Sequence, residues 1–276
     1  MVSCSEMTSR RRGMVDAMSY PTLPELFAGN RSITRYQPLL LRLSRYVAPF
    51  LAWLAIRLKI SPFHINYATF LLALCMCGTF ALGPPDFRVA AAVLLLFWQL
   101  LDATDGTIAR GLGIRSNYGG FVDLLGGMFL LAFLDVSIGL GLYRFPDNSV
   151  QQLLDLMDID FTYLPVYSLI AGAYSSIAAI LFRLTSRIIR LRFDIDMNRT
   201  LETTHDATAM SLKVRLHRVI QNVEQIGGLQ LIILFIAAAL GQLEVFVIFY
   251  LIVHLVVLLG STARALIGLR HQHAYR

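Results

Sequence analysis

Long apolar runs separated by short polar breaks fill most of the chain, and their lengths predict helices that cross a bilayer. Six runs are long enough: about 62–83, 87–110, 118–143, 163–188, 219–240 and 243–268. Pro62 is placed to open the first, and Gly83-Pro84-Pro85 to stop it. Ahead of them, residues 38–60 carry Leu40, Leu43, Val47, Phe50, Leu51 and Leu54 at helical spacing, with Arg42, Arg45, Arg57 and Lys59 at the edges. That pattern predicts an amphipathic helix lying in the membrane interface. Residues 1–37 are polar and without periodicity, and read as a flexible cytosolic N-terminal tail with no signal peptide. The expected fold class is therefore an all-α integral membrane protein: six transmembrane helices in a membrane domain over 61–270, preceded by the interfacial helix. No internal repeat interrupts this plan.

Composition agrees and narrows the options. A mean hydropathy of +0.61, with 56% hydrophobic and 15% charged residues, excludes an ordinary soluble domain. The net charge of +6 would suggest an acidic partner in a soluble protein, but here the basic residues are sorted by side. Arg10, Arg11, Arg12, Arg110, Arg115, Arg183, Arg187, Arg190, Arg192, Lys213, Arg215, Arg218, Arg264 and Arg270 fall on one side of the six runs. Asp86, Asp147, Asp155, Asp158, Asp160 and Glu244 fall on the other, with only Arg88 and Arg144. The bias predicts both termini in the cytosol, in a bacterial inner membrane or its equivalent, with the lipid bilayer as partner and no nucleic acid. Cys4, Cys75 and Cys77 suggest neither a disulfide nor a zinc site.

Three acids interrupt the apolar sequence near that cytosolic side. Asp102 and Asp105 end the second run, and Asp123 stands near the start of the third. Carboxylates at such depth are costly without a compensating charge, so they mark a candidate site with a bound cation as partner. Asp102, Asp105 and Ala109 share one helical stripe beside Gly106, and the turn at Gly111-Leu112-Gly113 brings Asp123 back opposite them. Oxygen donors converging from two helices suit a hard cation such as Mg2+ or Mn2+, which takes further ligands from water and phosphate. Gly106, Ala109 and Gly119 leave room for a bulky substrate, and Arg110 can neutralise a carboxylate or grip a phosphate.

The run Asp102-x2-Asp105-Gly106-x2-Ala109-Arg110-x8-Gly119-x3-Asp123 resembles the signature of the class I CDP-alcohol phosphatidyltransferases, DxxDGxxARx8GxxxDxxxD, at seven of its eight specified positions. The resemblance covers under a tenth of the chain, and six spans with a preceding amphipathic helix agree with it. It implies that an alcohol or phosphorylated alcohol acceptor attacks a CDP-activated lipid or CDP-activated small alcohol, with release of CMP. It also implies metal ligation by Asp102, Asp105 and Asp123, and a CDP site shaped or contacted by Gly106, Ala109, Arg110 and Gly119. The Pro62-x3-Asn66 turn resembles the family's first helix start, which adds Asn66 to the nucleotide side. A homodimer is the assembly common in that family.

The chain departs from the signature at its last position, where the family's fourth aspartate, a metal ligand and base, is replaced by Gly127. Asp135 cannot stand in, because twelve residues of helix separate it from Asp123 by about 18 Å. Glu224, on a polar stripe with Gln221, Gln225 and Gly228 in the fifth run, is the candidate surrogate base, ahead of His205 and Asp206. The basic residues Arg183, Arg187, Arg190, Arg192, Lys213, Arg215 and Arg218 suit a phosphorylated acceptor or anionic headgroups as well as simple positive-inside topology. His254 reads as a packing residue, and Arg264 as one that snorkels to the surface. Two alternatives stay open: a relative with impaired catalysis that binds CDP-lipids, and a transporter with intramembrane acids.

Overall fold

The structure, a computed structural model, describes residues 20–34, 39–114, 117–155, 163–193 and 226–274, together with 219, 222 and 223. Every regular element among them is helical: α1 (Leu23–Thr34), α2 (Leu39–Arg57), α3 (Pro62–Leu82), α4 (Arg88–Gly111, entered through a 3-10 turn at Pro85–Phe87), α5 (Asn117–Arg144), α6 (Ser149–Asp155), α7 (Leu164–Phe193), α8 (Leu231–Leu240) and α9 (Leu243–Ala274). Six of these helices are long and apolar enough to cross a membrane, so the chain is a multi-pass, all-α integral membrane protein.

The six are not quite those the apolar runs predict. Leu39–Arg57, expected to be interfacial, has the length and composition of a span. Its outward face is the apolar stripe Leu39, Leu43, Tyr46, Val47, Phe50 and Leu54, while Ser44, Ala48, Ala52 and Ala55 face inward. Large apolar groups outside and small ones inside are what a lipid solvent selects, whether the helix spans the bilayer or lies along it. The fifth predicted span, 219–240, is not one continuous helix in its described part. Ile226–Gln230 forms a π-helical turn with non-helical backbone at Gly228, and α8 that follows is only 10 residues long. A Cβ at Gly228 would run into the Asn222 carbonyl, so glycine allows the tight kink.

A second difference lies in the N-terminal segment, where α1 occupies part of the expected flexible tail. Its start is capped: the Thr22 N–H donates to Glu25 Oε2 at 2.7 Å, which holds that carboxyl below its ordinary range. Leu26 then packs with Ala52, Ala55, Ile56, Ile65 and Ile108 in a small apolar cluster, docking α1 on α2 and α4. Docking, rather than helix propensity over twelve residues, accounts for its stability.

Helix α3 packs on both α4 and α5, α2 packs on α4, α5 on α7, and α7 on α9. The shared core is built from residues such as Met76, Phe80, Leu95, Leu130, Leu134 and Leu234. The α4–α5 turn places Gly113 at φ 64 and sends the Ile114 N–H back to the Ala109 carbonyl at 2.8 Å. Because α4 ends and α5 begins at that turn, Asp102, Asp105 and Asp123 share one end of the bundle, while Arg88, Asp147 and Glu244 gather at the other.

Between the two ends, α5, α7 and α9 are joined by a buried polar contact. The Ser175 hydroxyl donates to Asp135 Oδ2 at 2.6 Å and lies 2.9 Å from His254 Nδ1, which is 3.5 Å from the same carboxylate oxygen. Asp135 is 3% exposed and His254 2% exposed, so neither has water to fall back on. His254, expected to be a packing residue, thus carries a polar interhelical contact. Asp135→Ala is expected to lower stability by about 1–3 kcal/mol, because it strips partners from two helices inside the membrane region. The midpoint of unfolding in mixed SDS micelles measures this, and an unshifted midpoint would mean the contact adds nothing.

Candidate functional site

The site grows from three local features. On α4, Asp102 and Asp105 are one turn apart, and Asp105 accepts a hydrogen bond from the backbone N–H of Gly106. Four residues after Gly106 comes Arg110, whose guanidinium folds back over the glycine: a Cβ there would stand 3.1 Å from Arg110 Nη1. On α5, Gly119 and Asp123 are also one turn apart and face α4 and the start of α3. The carboxyl groups of Asp102 and Asp123 stand within hydrogen-bonding reach of each other, with Asp105 close by.

A cavity of about 590 Å3 opens between these elements. Its walls include Asn66, Asp102, Asp105, Gly106, Ala109, Arg110, Gly119 and Asp123, so every sequence-predicted metal and nucleotide residue reaches the same space. Two smaller cavities adjoin it. One, of about 240 Å3, is lined by Trp98, Gln99, Gly127, Arg183 and Arg187 along with Asp102 and Asp123. The other, of about 250 Å3, is mostly apolar and is lined by Phe63, Tyr67, Phe70, Tyr118 and Leu125 beside the same two acids. Asp102 and Asp123 are therefore common to all three spaces.

The donor chemistry fits a hard divalent cation: three carboxylates from two facing helices border one cavity, leaving coordination positions for water and phosphate oxygens. Among the described residues, no three His, Cys, Asp or Glu side chains already stand together as a metal-holding group. Gly127 lies one turn beyond Asp123, and a Cβ built on it meets no atom within 4 Å. Glu224, the candidate surrogate base, lies outside the described residues, as do Gln221, Gln225, His205, Asp206, Lys213, Arg215 and Arg218.

Two residues of this region carry no site assignment from the motif. Arg45, on α2, lines the large cavity, and its Nε and Nη1 are buried with no hydrogen-bond partner among the described residues. Asn30, on α1, donates through Nδ2 to Thr107 Oγ1 at 3.1 Å and to the Arg45 carbonyl at 3.3 Å. Its Oδ1 accepts from Arg110 Nη2 at 2.9 Å. Sequence signals for both exist. Thr22-x2-Glu25 is a capping box that announces α1, and Arg45 is a charge set among the small residues Ser44, Ala48 and Ala52 rather than on a polar face. Neither signal tells which distant residue it meets.

No protein-family model matches the chain, and no curated protein matches it.

Proposed function

We propose that the protein is a metal-dependent phosphotransferase of the CDP-alcohol type, passing a phosphoryl-linked group from a CDP-activated donor to an alcohol acceptor. The observation that carries this reading is the single cavity shared by Asn66, Asp102, Asp105, Gly106, Ala109, Arg110, Gly119 and Asp123. A chance DxxD on a helix would not bring the glycines, the arginine and a facing third acid to the same space.

In this reaction the acceptor hydroxyl oxygen forms a bond to the donor's β-phosphorus, the bond from that phosphorus to the CMP oxygen breaks, and the hydroxyl proton leaves to a base. Asp102, Asp105 and Asp123 would hold Mg2+ or Mn2+, which when bound neutralises the diphosphate and stabilises charge developing on the leaving CMP. The absence of a side chain at Gly106 lets the Arg110 guanidinium lie back over α4, where it offers a phosphate a fixed positive fork. The apolar cavity of Phe63, Tyr67, Tyr118 and Leu125 opens beside the acids, which favours a donor carrying hydrocarbon chains over a water-soluble one. Arg183 and Arg187, in the remaining cavity, suit an acceptor that bears a phosphate. The basic residues at this end of the bundle support a cytosolic mouth.

The test is CMP release by purified full-length protein from a CDP-activated diacylglycerol and from a CDP-activated soluble alcohol, with Mg2+ or Mn2+. Release is expected from the lipid donor and is expected to stop when EDTA is added. Nucleotide bound normally with no CMP from either donor would refute the transferase reading. That result would leave a second reading, a CDP-lipid-binding relative with impaired turnover. The open space at Gly127, where the family signature has its fourth carboxylate, is the observation that favours it.

A further inference from the structure

Two guanidinium groups converge on the large cavity that Asp102, Asp105 and Asp123 also line. Arg45 and Arg110 both line the space, and neither forms an ion pair among the described residues. They are near enough to each other to repel, and each is also near one acid, Arg45 to Asp102 and Arg110 to Asp105. Arg45 holds Nε and Nη1 out of water without an acceptor, a costly arrangement for a planar cation built to bind two oxygens at once. The two Arg45 donors left without an acceptor among the described residues, set beside a second guanidinium on the cavity wall, offer a place for the oxygens of an anion.

Asn30 explains how the pair is held. Its amide gives Nδ2 to the Arg45 carbonyl and takes Arg110 Nη2 on Oδ1, so one side chain ties the backbone of the first arginine to the guanidinium of the second. The amide orientation follows from chemistry, because reversing it would set an NH2 against the Arg110 donors. Thr107 closes the arrangement: its hydroxyl donates to the Ala103 carbonyl at 2.7 Å and accepts from Arg110 Nη2 at 3.3 Å and from Asn30. Asn30 is 3% exposed, and the contacts span 77 and 80 residues of chain.

We propose that Arg45 and Arg110 form a two-guanidinium clamp for a diphosphate, with Asn30 as the positioning residue that sets the distance between them. The segment before the motif is then part of the binding site as well as of the membrane anchor. The clamp deepens the transferase reading and rests on it for one point only, that the diphosphate belongs to a CDP-activated donor. Three carboxylates and two guanidiniums leave one net negative charge around the cavity, so the full anion needs a dication beside it.

The experiment is arginine modification by phenylglyoxal on the full-length wild-type protein, read by peptide mass spectrometry with and without magnesium pyrophosphate or magnesium CDP. Both ligands are expected to slow modification of Arg45 and Arg110 together. Arg57, stacked 4.2 Å over the Trp53 ring on the same helix, should react at an unchanged rate. Arg45→Ala is expected to weaken pyrophosphate binding by about 10-fold or more, and Arg45→Lys to recover only part of it. Asn30→Ala is expected to speed modification of Arg110 in the free protein, an effect that a purely structural role elsewhere would not produce. Equal reaction of Arg45 with and without both ligands overturns the clamp, even if CMP is released. Protection by pyrophosphate without CMP release from any donor upholds the clamp and refutes the transferase reading instead.

Discussion

Asp102→Asn is expected to reduce metal-dependent CMP release by on the order of 10^3-fold. The substitution keeps the size and shape of the side chain and removes only its charge. Asp102 borders all three cavities, whereas Asp105 borders one and is partly engaged with the Gly106 N–H. In the proposed reaction, a carboxylate at the junction of the three spaces is the one whose charge would act at the bond that breaks. Folding gives the control: Asp102 stands against Asp123, so removing one charge of the pair is expected to leave the unfolding midpoint unchanged or raise it. Mn2+ binding, followed by electron paramagnetic resonance, should weaken in parallel. Wild-type rates in a variant that has lost its metal would refute the proposed role of the carboxylate.

Gly127→Asp is expected to act in the opposite direction, raising CMP release by about 10^2-fold. Three observations support a gain. The position offers room, since no atom lies within 4 Å of a Cβ there. It follows Asp123 by one helical turn and lines the cavity that Asp102 and Asp123 also border. Arg183 and Arg187 line the same cavity, so an added carboxylate enters a positive environment and not only the field of two acids. A carboxylate so placed can take the proton of an acceptor hydroxyl, and it would add a fourth oxygen to the proposed metal site. The comparison of initial rates for the two proteins is direct. A loss of activity would mean that the natural protein already uses another base and that the new acid disturbs it, which returns attention to Glu224.

Part of the site was legible because it is local. The spacing of Asp102, Asp105, Gly106, Ala109 and Arg110 on a helix fixes which side chains share a face, and a short turn at Gly113 returns Asp123 to them. The same regularity makes long apolar helices readable, because bilayer thickness sets their length. The break in the fifth run was marked by Gly227-Gly228, two helix-weakening residues inside an apolar stretch. The helix at Leu23–Thr34 was marked by its capping box, but twelve residues of weak periodicity do not say whether a helix finds anything to dock on.

The sequence alone determined the membrane class, the helical architecture and the acid-rich motif, since each depends on composition or on spacing within one or two helices. Tertiary structure decided what those elements meet. It placed Asn30 between Arg45 and Arg110, set Ser175 and His254 on Asp135, and joined three spaces at Asp102 and Asp123. The physical reason is the same in each case: a contact between residues on different helices is selected by packing and by the cost of burying an unpaired polar group, and neither is written in the local pattern.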